Sequence, residues 1–184
     1  MKKTLLLLSL FALLLASCEK ADDWISRRYP GRRFFFFHQE HPTSLLFAAY
    51  QNPGMWVYVY CRGDGVKDYR HVYVQSNDEQ MGVEDNVVST ERERRAAYIL
   101  GASNEIGLIV GCTFFNGPKA YDRICPNCTT LQALRWTQHT QHVACQKCKR
   151  EYDLETGAIV AGDGGEALLR YGCSYDGNCL YVGN

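Results

Sequence analysis

The stretch Cys125–Gly157, CPNCTTLQALRWTQHTQHVACQKCKREYDLETG, holds two Cys-x-x-Cys pairs separated by sixteen residues. That separation falls inside the roughly 15 to 20 residues typical of paired Cys-x-x-Cys sites with tetrahedral thiolate coordination. The physical reason is compactness. Each pair folds as a tight turn that presents two sulfurs to one ion, and a hairpin between the pairs brings the turns together. Cys125, Cys128, Cys145 and Cys148 are therefore the expected metal ligands.

Two other chemistries use the same residues. Cys-Pro-Asn-Cys has the spacing of thioredoxin-like dithiols, and exported compartments oxidise thiols to disulfides. Thioredoxin-like enzymes, however, place one such motif at a helix N-terminus after a strand, where the dipole lowers the thiol pKa. Here each of two motifs precedes turn or strand sequence, and no βαβ pattern surrounds them. Between the pairs, His139 and His142 in WTQHTQH invite a mixed Cys/His site. They fall between the strand-like ALRW and the strand entering Cys145, which makes them decoration of a hairpin tip. His38, His41 and His71 have no ligand spacing and read as surface or packing residues.

The start of the chain, MKKTLLLLSLFALLLASCEK, speaks to compartment. Lys2 and Lys3 precede an apolar run from Leu5 to Leu15 that is short for a bilayer span, and Ala16-Ser17 is a small-residue cleavage site. Leu15-Ala16-Ser17-Cys18 resembles the lipobox of bacterial lipoproteins. That resemblance implies a signal peptide over residues 1–17, a lipid on Cys18 and a tether over residues 18–30. The acidic Glu19–Asp23, EKADD, resembles signals that direct some lipoproteins to the outer surface of diderm bacteria. The expected location is thus the outer membrane or cell surface, facing periplasm or exterior, with the membrane as a partner through Cys18.

Loss of Lys2 and Lys3 with the leader leaves 18 basic against 20 acidic side chains, a net charge of −2. No basic face is implied, so nucleic acid is not an expected partner. Residues 31–184 suffice for one domain with its own core. Aromatic content of 12%, with 12 Tyr, and 16 Gly favour a β-rich protein.

Along the mature chain, RRFFFF (32–37) reads as a buried strand. Pro42 to Gly54 reads as one short helix, opened by Thr43-Ser44 and stopped by Asn52-Pro53-Gly54. Trp56–Arg62 and Tyr69–Gln75 flank Gly63-Asp64-Gly65 as a β-hairpin. SNDEQMGVEDNVVSTERERR lacks a continuous apolar face, and its Glu91–Arg95 charge run reads as a solvated loop or helical turn. AAYILG and IGLIVGCTFF resume strand character, and Asn116-Gly117-Pro118 turns the chain into the cysteine region. Cys173 and Cys179 flank an Asp176-Gly177 turn, which predicts a hairpin with a disulfide between them. Cys61 and Cys112 lie in strand-like runs, either paired across a sheet or buried as free thiols.

The cysteine region carries a second resemblance. From Ala120 to Tyr171, AYDRICPNC followed by CQKCKREYDLETGAIVAGDGGEALLRY resembles a Rieske-type domain, in which a two-iron two-sulfur cluster sits between two β-hairpin loops. In that family the loops read Cys-x-His and Cys-x-x-His, and the second leads to an aromatic, Asp-Leu and Gly. Cys145, Cys148, Tyr152, Asp153, Leu154 and Gly157 stand in the corresponding places. Cys128 and Cys148 stand where the family has histidines, and the first pair is one residue wider. Two imidazoles on one iron raise the potential of a Rieske cluster, and four thiolates remove that tuning. The resemblance implies an all-β, mainly antiparallel sandwich with one or two short helices and a zinc-ribbon-like hairpin at 125–148. Zinc is the expected metal, and a two-iron two-sulfur cluster is the alternative.

A catalytic reading finds no support in motifs: there is no Gly-x-Ser-x-Gly and no phosphate-cradling glycine loop. Asp153 belongs, in the Rieske-like pattern, to a strand after the metal loop and reads as structural. The expectation is a non-enzymatic binding or structural module, with electron transfer as the alternative.

Overall fold

The structure is a computed structural model describing residues 25–63, 69–96 and 98–184. The signal segment, Cys18, the Glu19–Asp23 spacer and the turn at Asp64-Gly65 lie outside these residues. Among the described residues the fold has two sheets and two short α-helices. The large sheet has nine strands: β1 (Arg33–Phe37), β2 (Trp56–Gly63), β3 (Tyr69–Ser76), β4 (Val83–Val87), β5 (Tyr98–Ile99), β6 (Leu108–Cys112), β7 (Pro118–Asp122), β12 (Arg170–Tyr175) and β13 (Cys179–Gly183). Their order is β4-β3-β2-β6-β7-β12-β13-β1-β5, and every strand pairing is antiparallel. The small sheet is β11 (Ile159–Ala161), β10 (Glu151–Asp153), β9 (His142–Cys145) and β8 (Leu134–Trp136). The chain is thus mainly antiparallel β, as its composition predicts.

Strand β2 explains the layering. In WVYVYCRG, successive side chains point to opposite faces, and both faces are buried. Val57, Val59 and Cys61 enter one core cluster with Phe34 and Phe36 of β1 and Leu180 and Val182 of β13. Contact between strands from opposite ends of the sheet order means that the large sheet curls around this core. Trp56, Tyr58 and Tyr60 point the other way, into a second cluster with Leu134, Val143, Tyr152 and Leu154 of the small sheet and its flanks. Gly111 of β6 is what lets Trp56 lie flat: a Cβ there would stand 2.5 Å from the indole.

Helix α1 (Leu45–Gln51) plugs the curled sheet with Leu46, Phe47 and Ala49. Its Ser44 cap accepts from the Leu46 N–H, and Asn52 closes the other end on the Ala48 carbonyl, ahead of Pro53. Helix α2 (Glu91–Arg95) begins with a capping box between Thr90 and Glu93.

The β12–β13 hairpin forms as expected, but the expected disulfide does not. Cys173 faces Val182 across the hairpin, while Cys179, an odd number of residues from Val182, faces the opposite side of the sheet beside Phe37. Both thiols are free. A bridge from Cys61 to Cys112 is also absent, and both are buried free thiols. They sit at opposite ends of the β2–β6 ladder, roughly 20 Å apart at the usual strand rise. Strand β4, not anticipated in SNDEQMGVEDNVV, is an edge strand whose exposed residues are Val83, Asp85 and Val87 and whose Asn86 is buried. No helix among the described residues is long and apolar enough to cross a membrane.

Candidate metal centre

Strand β7 ends at Asp122 and leads, after two residues, into the first cysteine turn, and β8 follows it. The turn is held by the Cys125 N–H on the Gln132 carbonyl at 2.8 Å and an isolated bridge between Ile124 and Ala133. The second turn joins β9 to β10. There the Cys145 N–H donates to the Arg150 carbonyl and the Lys149 N–H to the Cys145 carbonyl, both at 2.9 Å. Lys149 sits at φ 61°, in the left-handed region where glycine is favoured, and among the described residues no other non-glycine has a positive φ. Leu134 of β8 faces Cys145 of β9, so the ladder between these strands sets one turn against the other.

The result brings all four predicted ligands together. The Sγ atoms of Cys125, Cys128, Cys145 and Cys148 lie within 4.8 Å of one another. Two of their contacts cross between the motifs: Cys125 to Cys148 at 3.5 Å and Cys128 to Cys145 at 3.7 Å. Tetrahedral placement around one ion at a Zn–S distance of about 2.3 Å sets sulfurs about 3.8 Å apart, so the donor set fits a single tetrahedral metal ion. In each motif the first cysteine is buried and the second half-buried.

Surrounding groups are arranged to support thiolates. The Tyr152 hydroxyl lies 3.3 Å from Cys125 Sγ and accepts from Asn127 Nδ2 at 2.9 Å, which leaves its proton for the sulfur. Burial pushes the Cys125 thiol up to about 12, against the lowering effect of Tyr152 and the Asn127 backbone. At Cys148 burial also raises the pKa, but bonds from the Arg150 backbone and guanidinium and from neighbouring thiols outweigh it and bring the thiol down to about 6. Four thiols this close cannot all ionise against their mutual repulsion. A divalent cation among them reverses that order and deprotonates coordinating thiols outright.

A loop after β11, Gly162–Glu166, covers both turns. Arg150 donates to the carbonyls of Asp163 and Gly164, at 2.9 and 3.0 Å, while Asn127 bonds Glu166 through both its amide groups. A Cβ on Gly165 would meet Asn127 Oδ1 at 2.2 Å, so the loop approaches this closely only with glycine there. Arg28, on the entering segment, donates to the Pro126 carbonyl at 2.7 Å and pairs with Glu166 at 3.0 Å. Arg28, Asn127, Arg150 and the glycine loop escaped the sequence reading. The cluster Gly162-Asp163-Gly164-Gly165 close behind the cysteines is the signal that points to a close backbone approach.

His139 and His142 do not join the cysteines. Their rings stack at 3.9 Å at the β8–β9 turn, and His142 pairs with Glu151 at 2.6 Å. Asp153 accepts from the N–H groups of Glu155 and Thr156 and so fastens the turn after β10. His41 and His71 pair with Glu93 and Asp85, and His38 packs edge-on against Phe47.

The small sheet is seated on the aromatic face of the large one. Trp136 stacks on Tyr58 at 3.8 Å, and Arg123 covers the other face of the same ring at 3.7 Å. Trp56 Nε1 donates to Gln141, which in turn donates to the Gly54 carbonyl. Glu155 accepts from the N–H groups of Phe114 and Phe115 and from Asn116 Nδ2, and Lys119 donates to its carbonyl.

No known protein family, curated protein or solved structure matches this chain.

Proposed function

We propose that this chain is an exported, lipid-anchored β-domain whose four cysteines hold a structural zinc ion, and that it acts as a binding or structural module at a membrane surface. One observation carries the reading: four sulfurs lie within 4.8 Å of one another, with cross-motif contacts of 3.5 and 3.7 Å. Such a set has the size to enclose one ion. A two-iron two-sulfur cluster interleaves two irons and two sulfides among its ligands and requires the ligand pairs to stand further apart. Four thiolates also close the coordination shell of zinc and leave no position for substrate, which is the pattern of structural rather than catalytic sites.

The lipid on Cys18 supplies the membrane half of the reading, since acyl chains contribute about 0.8 kcal/mol per buried methylene. Chain geometry limits the distance of the domain from that anchor. From Cys18 to Arg28, which grips the first cysteine turn, the chain reaches at most about 35 Å.

Metal content with a visible spectrum on the purified protein tests the site. The expected result is about one zinc per chain and no visible band. Two irons with absorbance that bleaches on reduction would replace this reading with a Rieske-like electron carrier, the function that the resemblance of Ala120–Tyr171 suggests. Cys18→Ala tests the anchor separately, by moving the protein from the membrane fraction to the soluble one.

A further inference from the structure

Two sulfur–sulfur contacts described above, Cys125–Cys148 and Cys128–Cys145, run between motifs, and they bear on what the tetrad does when it holds no metal. We infer that the four cysteines can close the hairpin in two interchangeable ways: around a metal ion, or as the two cross-motif disulfides Cys125–Cys148 and Cys128–Cys145. The inference rests on the proposed reading of the tetrad as a metal site in an exported protein, and it names the regulation of that site.

Geometry allows these pairings. Cys125 Sγ and Cys148 Sγ stand 3.5 Å apart, and Cys128 Sγ and Cys145 Sγ 3.7 Å. Each pair needs to close by roughly 1.5 Å to reach a bond of about 2.05 Å. Each also joins one half-buried thiol, Cys148 or Cys128, to one buried thiol, Cys125 or Cys145. That division suits thiol–disulfide exchange. A low-molecular-weight disulfide reaches the accessible sulfur and forms a mixed disulfide, releasing one small thiol. The buried partner then attacks the protein sulfur of that mixed disulfide and releases the second. For each protein bond formed, two thiols lose two electrons and two protons, and the small disulfide is reduced to two small thiols. Both bonds join the turn after β7 to the turn after β9. They therefore preserve the closure that the metal provides, whereas bonds within each Cys-x-x-Cys would leave the two turns unlinked.

The same surroundings serve both forms. The hydrogen bonds of Arg28, Asn127 and Arg150 to the carbonyls of Pro126, Glu166, Asp163 and Gly164 involve no sulfur, so oxidation leaves them in place. The bond from the Lys149 N–H to the Cys145 carbonyl, at 2.9 Å, likewise involves no sulfur. An exported protein meets an oxidising environment, and a site with two closed forms tolerates it.

The test uses the full-length chain, purified, stripped with a chelator and equilibrated with oxidised glutathione, followed by proteolysis without reduction and mass spectrometry of the linked peptides. The expected linkages are Cys125–Cys148 and Cys128–Cys145, with a melting temperature within a few degrees of the metal-loaded form and full metal uptake after reduction. Linkages Cys125–Cys128 and Cys145–Cys148, or glutathione adducts persisting on Cys128 and Cys148, would overturn the inference. Metal analysis of the protein before stripping keeps the two claims apart. Protein that takes up no zinc yet gives the cross-motif linkages defeats the zinc reading and leaves the pairing intact. Zinc-loaded protein that gives the other linkages defeats the pairing alone.

Discussion

Strands β2 and β3 each run for eight residues, while β8, β10 and β11 run for three. The long strands belong to a sheet that curls around its own core, where Phe34, Phe36, Leu46, Val57, Val59, Val110 and Leu180 are fully or almost fully buried. The small sheet has no comparable interior. Its second cluster is completed from outside, by Trp56, Tyr58 and Tyr60 of β2 and by the cysteines themselves. A sheet of short strands buries too little apolar surface to offset the conformational entropy of ordering it. The large sheet closes on its own core, whereas the small sheet's cluster is shared with its cysteine centre and the surface beneath it.

Breaking the centre is the strongest test of that contrast. Removal of metal, or Cys148→Ser under reducing conditions, is expected to forfeit on the order of 10 kcal/mol of apparent binding free energy. The loss is expected to be local. Amide hydrogen exchange should show residues 134–161 opening while β2, β3 and β6 keep their protection. Exchange that rises equally in both sheets would mean that the two fold as one unit and that the contrast is false.

The next test cuts the seam between the sheets instead of the centre. Glu155 accepts from Phe114 N–H at 2.7 Å, Phe115 N–H at 3.2 Å and Asn116 Nδ2 at 3.1 Å, which fastens the β10–β11 turn to the β6–β7 turn. Glu155→Ala leaves these donors to solvent, because Phe114 and Phe115 are exposed. The expected cost is about 1–3 kcal/mol, the usual range for bonds to a charged acceptor. Metal affinity should stay within about a factor of three, because the seam lies away from the sulfurs. A large fall in zinc affinity would show that the small sheet transmits strain to its ligands.

These two regions also differ in how far the sequence discloses them. The cysteine spacing locates all four members of the centre, because metal geometry constrains residue type and separation together. RFFFF, the helix before Pro53 and the β2–β3 hairpin are legible from side-chain pattern and breakers. Strand β4 is not, because its alternation is inverted: Val83 and Val87 face solvent at the sheet edge, while Glu84 reaches in to accept from the Leu45 N–H and Asn86 donates to the Val72 carbonyl. The Cys173–Cys179 pairing fails for another reason. Proximity in sequence suggests a bridge, but the register at Val182 decides which face each thiol takes. Partners from distant chain segments, such as Arg28 at Pro126, have no local signature at all.

Two carboxyls packed against the large sheet, Glu93 and Asp122, give a smaller, pH-dependent test. Burial raises the pKa of Glu93, but bonds from Thr90, His41 and Ser89 outweigh it and hold the carboxyl below its ordinary range. Its folded pKa therefore lies below the unfolded value of about 4.3. The stability it contributes is fully present above that unfolded value and is lost as pH falls through the folded one. Asp122, beside Tyr171, has the opposite sign: burial raises its pKa, so its ionisation disfavours the fold as pH climbs above the ordinary carboxylate value. Comparing wild type with Glu93→Gln isolates the first effect. Denaturant melts should show the wild-type advantage at neutral pH shrinking below about pH 4. An advantage that grows in acid would reverse the assignment.

The smallest effect sharpens the contrast from within the small sheet. Lys149 follows Cys148 at φ 61° and its N–H closes the second cysteine turn on the Cys145 carbonyl at 2.9 Å. A side chain in the left-handed region costs about 1–2 kcal/mol relative to the ordinary helical one, and glycine is free of that cost although it pays more entropy on ordering. Lys149→Gly is therefore expected to stabilise by about 1 kcal/mol or less, and Lys149→Val to destabilise by more than that, since a β-branched side chain is the poorest fit to this conformation. If the small sheet rises and falls on its cysteine centre, both changes should appear in zinc affinity and in exchange over residues 134–161, and neither in the protection of β2 or β6. A shift in the large sheet on either substitution would mean that the two turns and the curled core are coupled more tightly than their separate clusters imply.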